Sequence, residues 1–233
     1  MQKEIIKDWA IPIALLLLFT VLFRLFPWDI QLQSAFYQIE KKWWFMEKYF
    51  LITLLDKYGY IPTLVISLYS AFALIAGFLR FRFEKFRKIA LLFLLTIAIG
   101  PGLIVHGVFK EHWGRPRPHD IVEFGGTFAH QELLQPSSGR GKSFPSGHAS
   151  LGFMLLVPYF FLRKTNRKTA LSFLAFGLCF GTLRGIGRMA QGAHFASDVL
   201  WAGGLVYLTG LGMYYLLGMN KSIYWTSSRS LTD

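Results

Sequence analysis

The sequence predicts an all-α polytopic membrane protein: six transmembrane helices plus an interfacial amphipathic helix, in a single domain over residues 1–233. Three observations predict it. Hydrophobic residues make up 53% of the chain and charged ones 16%, where a soluble domain carries about a quarter charged. The apolar residues gather in runs of about 20, the length that crosses a bilayer core as a helix. The polar residues suited to chemistry fall in alternate loops between those runs, on what parity makes one face.

In order, residues 1–9 are a short charged start and residues 10–27 the first span, flanked by Trp9 and Trp28 at its interfaces, with Arg24 near enough to the end to snorkel. No small-residue cleavage site follows it and Phe26-Pro27-Trp28 is bulky, so it reads as a retained span rather than a signal. Residues 29–59 interleave Trp43, Trp44, Phe45, Tyr49 and Phe50 with Lys41, Lys42, Glu47 and Lys48, the pattern of an amphipathic helix lying in the interface. The second span is 60–79, followed by Arg80, Arg82, Lys85, Arg87 and Lys88. The third is 89–109, and Gly100-Pro101-Gly102 should kink or unwind it. Residues 110–147 form a polar loop rich in Pro, Gly and Ser. A short fourth span covers 148–162, and Arg163, Lys164, Arg167 and Lys168 follow it. The fifth span is 169–186, the sixth 195–217, and a polar tail closes the chain.

The two basic loops, with five and four Lys or Arg, are expected on the cytoplasmic side, and both termini with them. Lys110, Arg117, His148, Arg188, His194 and Asp198 then all lie on the opposite face. The net charge of +12 sits in these loops, where anionic headgroups meet it, and no aromatic–basic nucleic-acid module is present. The partners expected are therefore a membrane and a lipid, not nucleic acid; the sequence names no protein partner. The single cysteine, Cys179, lies in an apolar run and can form no internal disulfide.

The candidate chemistry occupies three clusters. His194 and Asp198, four residues apart at the head of the sixth span, are placed to hydrogen-bond, which fixes the imidazole tautomer and leaves its other nitrogen as nucleophile or base. A lone His–Asp pair reads as readily as a satisfied polar contact, and the other two clusters change that balance. His148 follows Pro145-Ser146-Gly147 where the fourth span begins, offering backbone N–H groups to an anion and a general acid for a leaving oxygen. Lys110, Arg117 and Arg188 supply the positive charge that a phosphoryl transition state needs, and Pro116 and Pro118 stiffen the loop around Arg117. One such loop would read as solvated charge or headgroup contact; three converging loops point to a phosphate site. Arg184, one turn before Arg188, either supports it or contacts substrate. His106 reads as a packed histidine. His112, His119 and His130 match no zinc spacing, so no metal and no cofactor are expected.

These residues resemble the signature of the type 2 phosphatidic acid phosphatase superfamily, in its membrane branch: Lys-x6-Arg-Pro at Lys110 and Arg117-Pro118, Pro-Ser-Gly-His at 145–148, and Arg-x5-His-x3-Asp at Arg188, His194 and Asp198. The one departure is Gly187, where the signature has serine. The resemblance implies a metal-independent lipid phosphatase. His194 would form a phosphohistidine, Asp198 would orient it and His148 would protonate the leaving oxygen. Lys110, Arg117, Ser146, Gly147 and Arg188 would hold the phosphoryl oxygens. It further implies a bacterial inner-membrane location with the site facing the periplasm. Arg115-Pro-Arg-Pro118 followed by Glu123-Phe-Gly-Gly126 resembles lipid A 1-phosphatases, which makes the 1-phosphate of lipid A the expected substrate. Undecaprenyl pyrophosphate and phosphatidylglycerophosphate phosphatases share the core signature, as do lipid phosphotransferases. A transporter would spread its charges to midplane depth, and a lipid-binding protein with a dead site would have lost His194 or Asp198; neither pattern is present.

Overall fold

The computed structural model describes residues 2–38, 43–44, 50–79, 84–135 and 141–221. Its main helices are α1 (Gln2–Leu25), α2 (Trp28–Ser34), α3 (Phe50–Tyr58), α4 (Ile61–Leu79), α5 (Glu84–Ile97), α6 (Gly147–Phe153), α7 (Pro158–Leu162), α8 (Arg167–Met189) and α9 (Ala196–Leu216). Five stretches are long and apolar enough to cross a membrane: Lys3–Leu25, Ile52–Leu79, Phe86–Lys110, Arg167–Met189 and Ala196–Leu216.

The fourth expected span is the exception. Gly147–Leu162 is apolar but too short to count with the others, because at about 1.5 Å per residue it falls short of a hydrocarbon core of about 30 Å. It is also broken. Pro158 cannot donate into the preceding turn, and α6 tightens to a 3₁₀ turn at Met154–Leu156 before α7 begins. This segment is the centre of the bundle: Ala149, Met154, Leu156, Val157 and Phe160 are buried, and α8 and α9 cover them.

The close fit of α8 comes from glycines four residues apart, which form a smooth stripe along one helix face. A Cβ on Gly177 would lie 2.3 Å from the backbone nitrogen of Leu156, and one on Gly181 2.3 Å from Cδ1 of Phe153. On Gly185 it would meet Cγ1 of Val199 on α9 at 2.3 Å. Side chains there would push the helices apart.

Around Gly100-Pro101-Gly102, where a kink or local unwinding is expected, the helix widens. Residues Ala98–Lys110 adopt π-type hydrogen bonding, and α5 continues through them to Lys110. Pro101 has no N–H and its ring crowds the carbonyl four residues back, so a wider turn accommodates it without breaking the helix.

Residues 29–59 are not one amphipathic helix. They contain α2, an antiparallel pairing of β1 (Tyr37–Gln38) with β2 (Trp43–Trp44), and α3. Lys41, Lys42, Phe45, Glu47, Lys48 and Tyr49 lie outside the described residues, as do Arg80, Arg82 and the tail from residue 222. The pairing is held by aromatic contact. Tyr37, Trp44 and Phe124 stack pairwise at 4.8–5.4 Å and form, with Ile121 and Phe195, a second small core below the polar loop.

Polar contacts collect at the two ends of the bundle. At one, Arg163 and Tyr215 share the carboxylate of Asp8, and Arg163 lies over the Tyr214 ring at 4.4 Å. At the other, the ends of α1, the π stretch and α8 meet the starts of α6 and α9. There Gln33 of α2 donates to the carbonyl of Met189 at 2.6 Å, and every site residue expected from the sequence is found at that end.

Candidate active site

The site is built on Asp198, in the first turn of α9. Its Oδ2 accepts the N–H of Phe195, the residue preceding the helix, at 2.8 Å, and the Ser143 hydroxyl at 2.6 Å. Its Oδ1 accepts Nη1 of Arg115 at 2.6 Å. Asp198 is fully buried, so these three donors carry the whole cost of its charge.

His194 lies in the extended segment before α9, with Phe195 at φ −82, ψ 163. This corrects the expectation of a direct His194–Asp198 hydrogen bond. The two residues do not share a helix face, and Nδ1 stands 3.9 Å from Oδ2. Nδ1 instead donates to the carbonyl oxygen of Ser143 at 2.6 Å. The tautomer follows from that bond: Nδ1 carries the proton and Nε2 keeps its lone pair. Burial holds His194 below the ordinary imidazole value, and the nearby charge of Asp198 opposes this without overcoming it. The ring is neutral at neutral pH. Asp198 therefore orients His194 through Ser143, whose hydroxyl it accepts while the Ser143 carbonyl takes the imidazole proton.

Beneath Asp198 lies a charge network the sequence reading missed. Arg115 is completely buried. Its Nη2 donates to Oδ2 of Asp29 at 2.8 Å, its Nη1 also to the Ser197 hydroxyl at 2.8 Å, and its Nε to the carbonyl of Gln131 at 3.1 Å. Its guanidinium stacks on Phe195 at 4.4 Å. Asp29 in turn accepts the N–H of Ser197 at 2.9 Å, and its hydroxyl. Burial alone would lower the affinity of Arg115 for its proton; the carboxylates of Asp198 and Asp29 reverse this and raise it. In the sequence Arg115 passes for one more loop cation beside Arg117. Asp29, just past the first apolar run, passes for an interfacial acid.

The expected phosphate-binding residues surround this base. Lys110 ends the π stretch beside the start of α6: a Cβ on Gly147 would stand 3.5 Å from its Nζ and 2.5 Å from Nε2 of His106. Lys110 also lies within electrostatic reach of Arg117, Arg188 and Asp198. Ser146 caps α6, its hydroxyl accepting weakly from Ala149 at 3.4 Å, and its own N–H donates to the carbonyl of Asp198 at 3.1 Å. Arg117 is held by its backbone N–H on Asp120 at 3.1 Å. The structure thus brings Lys110, Arg117, Ser146, Gly147, His148, Arg188, His194 and Asp198 to one place.

A second residue missed in the sequence is Asp56, on α3. Its Oδ1 accepts Nη1 of Arg188 at 2.9 Å and stands 3.8 Å from Nε2 of His148. An acid in the middle of an aromatic, apolar stretch gave no signal of its own. Asp56 and His148 line a cavity of about 380 Å³ with Tyr60, His106 and Arg184. Another cavity, about 240 Å³, lies behind Asp29 between the end of α1 and residues 130–133, away from His148 and His194. His112 bonds to the carbonyl of Val108 and His119 pairs with Asp120. His130 stacks on Phe195. Among the described residues no three His, Cys, Asp or Glu side chains gather where they could hold a metal ion.

Residues 89–222 match the family model of the PAP2 superfamily. The match contains all eight of these site residues and Arg115, whereas Asp29 and Asp56 precede it. The chain is 40% identical over 139 residues to a lipid A 4'-phosphatase of Francisella tularensis subsp. novicida, covering 59% of this chain and 62% of that protein. It is 38% identical over 120 residues to a lipid A 4'-phosphatase of Rhizobium leguminosarum, covering 50% of each. To the lipid A 4'-phosphatase of Rhizobium etli it is 34% identical over 138 residues, covering 56% of this chain and 51% of that one. The chain thus spans between half and two thirds of the length of these curated relatives. No solved structure matches it. Since more than half of its length falls within the family match, the chain belongs to the PAP2 superfamily.

Proposed function

We propose that the protein is a membrane lipid phosphatase that removes a phosphate from lipid A through a phosphohistidine on His194. The observation that carries this reading is the imidazole itself: neutral, buried, its Nδ1 proton committed to Ser143, and its Nε2 left with its lone pair within the electrostatic influence of Lys110 and Arg188.

The lone pair of Nε2 attacks phosphorus as the bond to the leaving oxygen breaks. Burial and the Arg188 charge lower His148 to about 3, so it takes up the proton that it gives to that oxygen only when the negative charge of the substrate phosphate adds to that of Asp56. Lys110, Arg117 and Arg188 balance the charge on the equatorial oxygens, with Ser146 and the Gly147 N–H beside them. Water then attacks the phosphorus, His148 takes its proton, the P–N bond breaks, and inorganic phosphate leaves with His194 restored. Asp56 holds Nη1 of Arg188, and the buried Nε of Arg188, which has no partner among the described residues, remains available to a phosphate oxygen.

Lipid A is proposed as substrate because all three relatives carry that name, and the 4'-phosphate is favoured for the same reason. The 1-phosphate rests on residues 115–118 and 123–126. Of these residues Arg115 is buried under Asp198 and Gly126 closes a tight turn onto the carbonyl of Ile121 at 2.8 Å, while Arg117 lies at the phosphate site, where it serves either position equally. The location we propose is the bacterial inner membrane with the site on the periplasmic face, which the sorting of the basic loops supports.

The test is phosphate release by detergent-purified protein, with a chelator present, from bis-phosphorylated lipid A, undecaprenyl pyrophosphate, phosphatidylglycerophosphate and phosphatidic acid. Mass spectrometry of the lipid A product locates the phosphate lost. Loss of the 4'-phosphate, abolished in His194→Ala, supports the proposal. Loss of the 1-phosphate moves the position, and faster release from another lipid moves the substrate. Release that persists in His194→Ala sinks the mechanism. Phosphorylated acceptor lipid in place of free phosphate would make the protein a phosphotransferase.

A further inference from the structure

Arg184 has no role in the reaction described above, yet it is one of the most constrained side chains in the molecule. It is 3% exposed, and its Nε and Nη1 are buried without a hydrogen-bond partner among the described residues. It lies in a slot made by two glycines. A Cβ on Gly59 would stand 2.6 Å from its Nε, and one on Gly152 3.2 Å from its Cδ. Gly59 joins α3 to α4, and Gly152 lies in α6. Thr63 of α4 donates to the carbonyl of Leu151 at 2.7 Å and fixes that gap.

A buried guanidinium normally has a carboxylate partner. The acid near Arg184 is Asp56, and its Oδ1 is engaged by Arg188. The fold therefore holds a cation whose donors await acceptors. Those acceptors would come from the cavity of about 380 Å³ that Arg184 lines with His148, Tyr60 and Lys57.

The side of the reaction that this cavity serves follows from geometry. Phosphoryl transfer runs in line, with nucleophile and leaving oxygen on opposite sides of phosphorus. The cavity is lined by His148, the acid that serves the leaving oxygen, and not by His194. We propose that Arg184 is a substrate-binding residue of a leaving-group subsite, donating to acceptor oxygens carried by the alcohol or phosphate that departs. This rests on the assignment of His148 as acid and His194 as nucleophile. The oxygens are the hydroxyl and ester oxygens of a phosphorylated amino sugar or the second phosphate of a diphosphate. Both present the same acceptor chemistry to a guanidinium.

The experiment compares Arg184→Gln and Arg184→Lys with the wild type in two readouts, lipid hydrolysis and inhibition by orthovanadate. Orthovanadate fills the phosphoryl site and has no leaving group. Arg184→Gln should lower kcat/KM on lipid A or on undecaprenyl pyrophosphate about tenfold or more, the weight of a hydrogen bond to a charged group. The orthovanadate inhibition constant should stay unchanged, and Arg184→Lys should recover part of the loss. The lipid that suffers the larger penalty identifies the source of the oxygens. Weakened orthovanadate inhibition would place Arg184 on the transferred phosphoryl group and overturn the proposal. So would unaltered kcat/KM on both lipids, or a joint loss of thermal stability and activity in both variants. Hydrolysis surviving in His194→Ala would instead mark failure of the underlying mechanism.

Discussion

Two residues of the site have testable chemistry of their own. His194 binds its proton less tightly than free imidazole because it is buried. Its neutral form therefore persists below the ordinary value of about 6.5. The acid limb of kcat/KM against pH should have its midpoint below that value, and a midpoint above it would contradict a buried neutral nucleophile. Gly187 is the second. It stands where the family signature has serine, and a Cβ there would meet only Cγ2 of Ile52, at an ordinary 3.5 Å. Gly187→Ser should thus fit, raising stability by about 0.5 kcal/mol through helix propensity alone, with no loss of activity. A lower melting temperature would show that the site needs glycine. At this scale the sequence was legible wherever a residue belongs to a spaced motif, as Lys110, His148 and His194 do. It was silent on Asp29, Asp56 and the inward role of Arg115, whose partners lie 168, 132 and 83 residues away. No local pattern records a contact over such distances.

Among the elements, α8 carries the most weight, because it presents Arg184 and Arg188 from the same face that packs by glycine. Gly181→Leu should drive α8 away from Phe153, costing about 1–3 kcal/mol as overpacking does. It should also displace both arginines, so activity should fall further than stability does. Activity retained with a lowered melting temperature would mean that α8 shifts without carrying its arginines along. The helices were legible because each apolar run is long and bounded by charge. The interruptions were less so. Pro101 widens its helix while Pro158 marks a change of helix type, and the same residue type gave both signals. Residues 29–59 are divided into α2, the β1–β2 pair and α3 rather than one helix, although most of the alternating residues that suggested it lie outside the described residues. Tyr37 and Trp44 of the strand pair meet Phe124, far along the chain, edge to face, a contact no local pattern records.

At the level of the whole molecule, the buried Asp29–Arg115–Asp198 network joins the start, middle and end of the chain. Arg115→Met should cost about 3–5 kcal/mol, because it leaves two carboxylates buried without their cation. A thermal melt would read this directly, and a change below about 1 kcal/mol would mean the carboxylates protonate without penalty. The network also fixes an order of events during synthesis. Asp29 follows the Lys3–Leu25 helix, Arg115 follows Phe86–Lys110, and Asp198 lies in Ala196–Leu216. Before the helix that begins at Ala196 packs against the others, the site has neither the carboxylate beneath Ser143 nor the histidine beside it. The imidazole and the carboxylate that aligns it come together only once the Ala196–Leu216 helix has joined the bundle, so docking of that helix is the step that completes the site.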